Sequence, residues 1–265
     1  MKLSHLGIAL ILLASLFTFS ACSKSSNSTS PRYGTMRVRL TDAPGDFQHV
    51  NLVVREVSVH LSGSDSTNGW QVLRADTATY DLLALRNGLF TTIGQALIPA
   101  GHYTQIRLKL GAGSNVVVDG ITYPLTVPSG LQSGLKIIGE FDVPTNGLMD
   151  VALEFDAARS VHQTGAGAYM LKPVVKALPF STAGAIGSVV LPAGTAAKLY
   201  AIVASDTLGS TMPATDGSFV ISVLPSGVYS LAIDAPAGFR DTTLTGLLVT
   251  PGTTANAGTI TLSAQ

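Results

Sequence analysis

Short segments in which apolar and polar residues alternate one by one, separated by turns bearing glycine or proline, recur along this chain from residue 36 almost to its end. Met36, Val38 and Leu40 alternate with Arg37, Arg39 and Thr41, and Ile106, Leu108 and Leu110 with Gln105, Arg107 and Lys109. A period of two puts successive side chains on opposite faces of an extended chain, so each segment is a strand with one buried face. Leu52 and Val54 keep one phase while Val57, Val59 and Leu61 keep the other, which places a bulge at Arg55-Glu56. Val116 and Val118 lead through Asp119-Gly120 into Ile121, Tyr123 and Leu125. That pair suits a tight primed hairpin turn, whose two central residues both need positive φ. Further strands are predicted at 137–143, 148–155 and 169–177. Only the stretch "TYDLLALRNGLF", within 79–97, has the pattern of a helical turn.

The predicted class is therefore all-β for the most part, with two β-sandwich-like domains. Hydrophobic residues make up 46% of the 265 and charged residues only 12%, enough apolar material for a sizeable core. The strand pattern lapses over residues 179–184, "PFSTAG", which marks a boundary between a first domain at 34–178 and a second at 184–265. Beyond the break, "AIGSVVL", "AKLYAIVA", "GSFVISVL", "VYSLAIDA", "LTGLLVT" and "AGTITL" follow one another with short turns, the spacing of a small sandwich.

The chain has one cysteine, Cys22. A secreted protein with a single unpaired cysteine needs a reason for it other than a disulfide, and the preceding residues supply one. Lys2 is followed by an uncharged run from Leu6 to Phe19, and then by the small pair Ser20-Ala21. The run is short for a membrane span, and small residues suit a signal-peptidase cut site. Phe19-Ser20-Ala21-Cys22 resembles the lipobox of a bacterial lipoprotein signal, although Phe19 stands where such signals usually carry leucine. The resemblance implies a leader at 1–21, diacylglycerol on the Cys22 sulfur and a flexible tether at 22–33. More than one acyl chain would hold the protein stably on a membrane. Ser23 is not the aspartate that retains enteric lipoproteins in the inner membrane, so a lipid-anchored place in the cell envelope, on the outer membrane, is expected. Sixteen basic residues balance sixteen acidic ones, and losing Lys2 with the leader leaves a charge near −1. Such a balance offers no electrostatic footprint for nucleic acid.

Taken in order, "VRLTDAPGD", "VNLVVREVSVH", "YDLLALRNG", "IPAGHYTQIRLKL", "LTVPSGLQSGLKI", "LEFDAARSV" and "YMLKPVVKA" resemble the bacterial domain family DUF4382. The resemblance implies a secreted or lipoprotein context and mostly β structure, and it brings no biochemical activity. In the second domain, Asp216-Gly217-Ser218-Phe219 leading to Leu224-Pro225-Ser226-Gly227-Val228-Tyr229 resembles the carboxypeptidase regulatory-like domain, a transthyretin-like sandwich also grouped with starch-binding-like folds. That resemblance implies a noncatalytic spacer or binding module. The residues themselves have structural tasks: Gly217 in a turn, Phe219 and Tyr229 toward the core, Pro225 and Gly227 shaping a loop.

Little in the sequence carries chemistry. Because the sole cysteine is placed at the acylated terminus, thiol catalysis and cysteine-based zinc sites are excluded, and no His-Glu-x-x-His, Gly-x-Ser-x-Gly or phosphate loop occurs. His49, His60, His102 and His162 stand singly, His60 at what reads as a solvent-facing strand position. Ser133 and Lys136 have the Ser-x-x-Lys spacing of penicillin-recognising enzymes, but "LKII" continues as a strand, where residues three apart point to opposite faces. The companion Ser-Asp-Asn and Lys-Thr-Gly motifs are missing as well. Asp42 and Asp46 share one loop, and Glu154 and Asp156 end another strand on one face. Aspartates at strand ends ordinarily form turns. Calcium would need about six or more oxygens, and no Asp-rich loop motif supplies them.

No catalytic residue and no metal ligand is assigned, and no cofactor is expected, calcium being the one ion the carboxylates leave open. The sequence reads as a lipid-anchored, noncatalytic cell-envelope protein that presents a binding surface for carbohydrate or another envelope component. Cys22 is its lipidation site, and Asp42, Asp46, Ser133, Lys136 and Asp156 are candidate ligand-binding residues. The partners expected are the membrane, through the anchor, and a glycan or envelope protein. Two other readings stand beside it: an extracytoplasmic hydrolase, which needs those side chains to converge in a cleft, and a structural spacer in an envelope assembly.

Overall fold

The structure, a computed structural model, describes residues 32–43, 45–128 and 133–265. Cys22 lies outside them. β1 (Tyr33–Ala43) buries Met36, Val38 and Leu40 and leaves Arg37 and Arg39 half-buried on the other face, as their alternation predicts. β2 (His49–Leu61), β3 (Trp70–Arg74) and β4 (Ala78–Asp81) follow, and a single 3₁₀ turn at Leu82–Leu85 accounts for the helical patch in the sequence. Asp81 caps that turn by accepting a hydrogen bond from the Leu83 amide, and Leu82 and Leu83 are buried beneath it.

Next come β5 (Thr91–Pro99), β6 (Gly101–Leu110), β7 (Asn115–Val118), β8 (Ile121–Thr126), β9 (Leu135–Val143) and β10 (Leu148–Asp156). A helical turn at Ala157–Ser160 leads to β11 (Val161–Gln163), β12 (Tyr169–Leu171) and β13 (Val175–Pro179). Asp119 (φ 50°) and Gly120 (φ 76°) make the β7–β8 hairpin turn, both left-handed as that turn demands. The pairing of β2 with β6 shifts between Val54 and Glu56, which is the bulge expected at Arg55.

Among the described residues these strands form two sheets. One has the order β13-β10-β1-β5, with β1 parallel to β10 and antiparallel to β5. The other runs β11-β12-β8-β7-β2-β6-β9, with β3 and β4 also paired to β2. Their inner faces enclose a core that includes Met36, Val38, Leu40, Leu153 and Phe155 from the first sheet and Val57, Val59, Ile106, Leu108 and Phe141 from the second. Burying side chains of this size contributes about 1.5–3 kcal/mol each.

The remaining strands are β14 (Gly184–Leu191), β15 (Lys198–Val203), β16 (Asp206–Thr211), β17 (Ser218–Leu224), β18 (Gly227–Asp234), β19 (Thr242–Val249), β20 (Thr254–Asn256) and β21 (Ile260–Thr261). They form a sheet of order β17-β14-β20, with β21 also on β14, and a second of order β16-β15-β18-β19. Their core holds Ile186, Phe219, Ile221, Leu199, Tyr229 and Leu231. Phe219 and Tyr229 face inward as predicted, and Gly217 (φ 84°) leaves no room for a side chain, since a Cβ there would stand 2.3 Å from the Val190 carbonyl oxygen.

Two expectations are corrected. The run 169–177 is not one strand: it breaks around Pro173, which has no N–H to give a ladder, and its halves join different sheets as β12 and β13. His60 does not face solvent but is 7% exposed, with Trp70 edge-on to its ring and the 61–69 loop folded over it.

Both cores belong to one compact unit. Asn87, in a left-handed conformation (φ 58°), accepts hydrogen bonds through Oδ1 from the Thr211 hydroxyl at 2.7 Å and the Val220 amide at 3.4 Å, joining the β4–β5 connection to β16 and β17.

A polar groove at the ends of β1 and β10

β1 and β10 run parallel, so their C-terminal carboxylates arrive at the same edge, with Ala43 opposite Asp156 in the register. Asp42 lies on the core face and is buried, because position 42 continues the inward phase of Met36, Val38 and Leu40. Its Oδ1 accepts the Ala157 amide at 3.1 Å, while Oδ2 has no hydrogen-bond partner. Burial pushes the Asp42 carboxyl well above the usual carboxylate range, only partly opposed by the Ala157 amide. Asp156 caps the turn that follows β10, accepting the Arg159 amide at 2.8 Å, and burial raises its pKa too. Asp46, in the loop after β1, pairs with Lys198 of β15, with Nζ 2.5 Å from Oδ2.

Asp46 and Asp156 border a groove walled on its other side by the β15–β16 hairpin, while Asp42 is buried behind it. Its largest part, about 600 Å³, is lined by Asp156, Arg159, Tyr200, Asp206 and Ser210 among others. A smaller depression of about 70 Å³ shares Tyr200 and Ser210 and reaches Asp46 and Lys198, and a third of about 200 Å³ shares Asp156 and Arg159. The hairpin packs closely onto β17 because Gly209 has no side chain: a Cβ there would stand 2.7 Å from Ile221 Cγ2 and 3.0 Å from Leu224 Cδ2.

Glu154 lines the third depression but is almost completely buried. Lys176 of β13 makes an ion pair with its Oε2 and also donates to the Leu208 carbonyl. Burial pushes the Glu154 carboxyl up to about 7 even though Lys176 draws it down. Lys176 is thus engaged by Glu154 and by the backbone at once.

Of the candidate residues, Asp42, Asp46 and Asp156 thus gather at one end of the first sheet. Ser133 and Lys136 do not join them. Ser133 is exposed just before β9, and Lys136 is exposed on β9 opposite Arg107 of β6, on the other sheet. Tyr200, Arg159, Asp206 and Ser210 were absent from the candidates, and only Tyr200 had a signal: an aromatic ring in the outward phase of "AKLYAIVA". Among the described residues no three His, Cys, Asp or Glu side chains are placed to hold a metal ion, and no helix is long and apolar enough to cross a membrane.

Residues 33–173, a little over half of the chain, match the family described as "Domain of unknown function (DUF4382)". No curated protein matches. Among solved structures, the Bacillus anthracis TIE protein is similar at 9% identity and a TM-score of 0.27, with 88% of this chain and 34% of that one covered. A leucine-rich repeat protein from Bacteroides thetaiotaomicron is similar at 14% identity and a TM-score of 0.23, covering 88% of this chain and 26% of that one. GBS52, the minor pilin of the Gram-positive pathogen Streptococcus agalactiae, is similar at 10% identity and a TM-score of 0.24, with 87% and 96% covered. This chain spans only about a third and a quarter of the length of the first two. Scores this low lend no functional meaning to the likeness.

Proposed function

This chain belongs to the DUF4382 family, and we propose that it is a noncatalytic protein of the cell envelope, anchored through lipidated Cys22, that binds a glycan in the groove beside β10. The observation that supports this most is the meeting of Tyr200, Arg159, Asp156, Asp206 and Ser210 around about 600 Å³ of open space. Sugar hydroxyls donate and accept at once, so they are matched by a wall that offers carboxylates, a guanidinium and a hydroxyl together, while an aromatic ring supplies apolar area. A noncatalytic role is supported by how the ionisable groups are engaged. Glu154 is held by Lys176, Asp156 caps a turn, and Lys136 stands on another sheet with Ser133 just before its strand.

The test is a glycan array and calorimetry with the mature chain, its Tyr200→Ala variant and its Arg159→Ala variant. A retained glycan whose affinity falls about tenfold or more in each variant, with unchanged melting, supports the reading. Variants that bind as well as the parent, or a parent that retains no glycan, reject it.

A further inference from the structure

The outer face of the nine-stranded sheet carries a second recess, built without any residue of the groove. Trp70, the only tryptophan of the chain, starts β3 and pairs with His60 of β2. Its indole is fixed from three directions. The Arg107 guanidinium lies 3.9 Å from the ring centroid, the His60 ring meets it edge-on at 4.9 Å, and Nε1 donates to the Ser66 carbonyl at 3.0 Å. The 61–69 loop is closed on itself: Asp65 Oδ1 accepts the Thr67 and Asn68 amides, both at 2.8 Å, and His60 Nε2 is 2.9 Å from the Asp65 carbonyl oxygen. Gly69 permits this packing, since a Cβ would stand 2.5 Å from Ser64 Cβ and 2.7 Å from His60 Nε2. What remains beside the loop is a depression of about 250 Å³, about the size of one sugar ring, bordered by Trp70, His60, Ser64, Ser66, Gln105 and Lys136.

Its charge is lopsided. Arg107, Lys109 and Lys136 come from neighbouring strands β6 and β9, against the carboxylate Glu56 of β2, while Glu140 and Asp142, farther along β9, are paired with His102. Glu56 is already engaged: Oε2 accepts Lys109 at 2.7 Å, and Oε1 is 3.3 Å from Arg107 and 3.0 Å from the Ser58 hydroxyl. Asp65, the other carboxylate nearby, is turned into its own loop, where it also accepts the Asn68 side-chain amide at 2.9 Å. Lys136 is exposed and borders the recess.

We propose that this recess is a second binding site, for a saccharide carrying an anionic group. Lys136 meets the anion, Gln105 and the Ser64 and Ser66 hydroxyls bond the ring hydroxyls, and the indole forms the apolar wall. A rigid, buttressed loop with a prefixed aromatic ring loses little freedom on binding. The site stands independently of the groove and of the glycan reading given to it.

Because Trp70 is the only tryptophan, its fluorescence reports this recess alone. The mature chain is titrated with glucuronate, with glucose and with acetate, following emission and heat together, in the parent and in Lys136→Ala, Gln105→Ala and Arg159→Ala. The proposal expects a saturable response to glucuronate, at least tenfold weaker with glucose or acetate. It also expects at least a tenfold loss of glucuronate affinity in Lys136→Ala and in Gln105→Ala, with melting unchanged, and no loss in Arg159→Ala, which lies in the groove. No response to glucuronate overturns it. So does an equal response to glucose or to acetate, or an unaltered affinity in Lys136→Ala.

Discussion

The Tyr103 hydroxyl donates to the Pro99 carbonyl at 2.8 Å, four residues back along the chain. Tyr229 does the same to Pro225 at 2.9 Å in the other core. Both pairs belong to a Pro-x-Gly-x-Tyr stretch, "PAGHY" and "PSGVY", and both tyrosines are almost completely buried. Burial of the ring fixes the hydroxyl where the carbonyl of the preceding turn needs a donor, so each tyrosine fills its core and ties the turn that opens its strand. Tyr103→Phe and Tyr229→Phe keep the ring and delete the bond. Each is expected to lower unfolding free energy by about 1 to 3 kcal/mol, the range for leaving a buried polar group unpaired. Denaturant melts of the two variants check it.

Stability should also depend on pH in an unusual direction for a carboxylate. Folding raises the Glu154 carboxyl from 4.5 to about 7, so between those values the folded state binds more protons than the unfolded one. Unfolding free energy therefore falls as pH rises from about 4.5 to 7 and levels off above. Asp42, raised by burial, acts with the same sign. His102 adds to the trend above pH 6.5: Asp142 and then Glu140 raise its pKa, and stability gained by protonating it is lost as pH climbs through the raised value. Comparing melting temperatures of the parent and Glu154→Gln from pH 4.5 to 8 isolates the glutamate, and the variant's curve should be the flatter.

The alternation of Met36, Val38 and Leu40, the phase change at Arg55 and the pair Asp119-Gly120 made the first sheets legible, because each is a local rule that burial enforces on neighbouring residues. β16 was not legible. The β15–β16 turn contains Ala204 and Ser205, with Ala204 at φ 55° where a sequence reading looks for glycine or asparagine, and "DTLGST" has few apolar residues to mark a phase. With β16 went one wall of the groove, and so Asp206 and Ser210. His60 was misread for a related reason: its strand phase does face away from the first core, but Trp70, ten residues on, closes over it. Alternation tells which face a side chain takes and not what later folds onto that face.

Lipid anchoring at Cys22 is a prediction that can be checked without any structure. In a native bacterial host the mature chain should begin at Cys22, carry acyl chains and partition into detergent, as the leader ending in Phe19-Ser20-Ala21 implies. Cys22→Ala should leave the protein in the aqueous phase. Mass spectrometry of the N-terminal peptide decides the matter, through either the mass of attached acyl groups or a free thiol.

Asp42 poses a question of role that a pair of substitutions can answer. It is buried, one oxygen serves the Ala157 amide and the other has no partner, an arrangement that disfavours the charged form. Asp42→Asn keeps a carbonyl oxygen for the Ala157 amide and removes the charge. If the residue serves only to hold the turn, this variant should be neutral to about 1 kcal/mol more stable near pH 7, because neither a buried charge nor the proton that would neutralise it has to be accommodated. Asp42→Leu fills similar space without an acceptor and strands the Ala157 amide, one of the first N–H groups of the turn, at a cost of about 1 to 3 kcal/mol. Thermal melts of both, together with glycan retention, separate the roles: a ligand contact at Asp42 predicts weaker retention in the stable asparagine variant, whereas an architectural one predicts retention that follows stability and fails only with leucine.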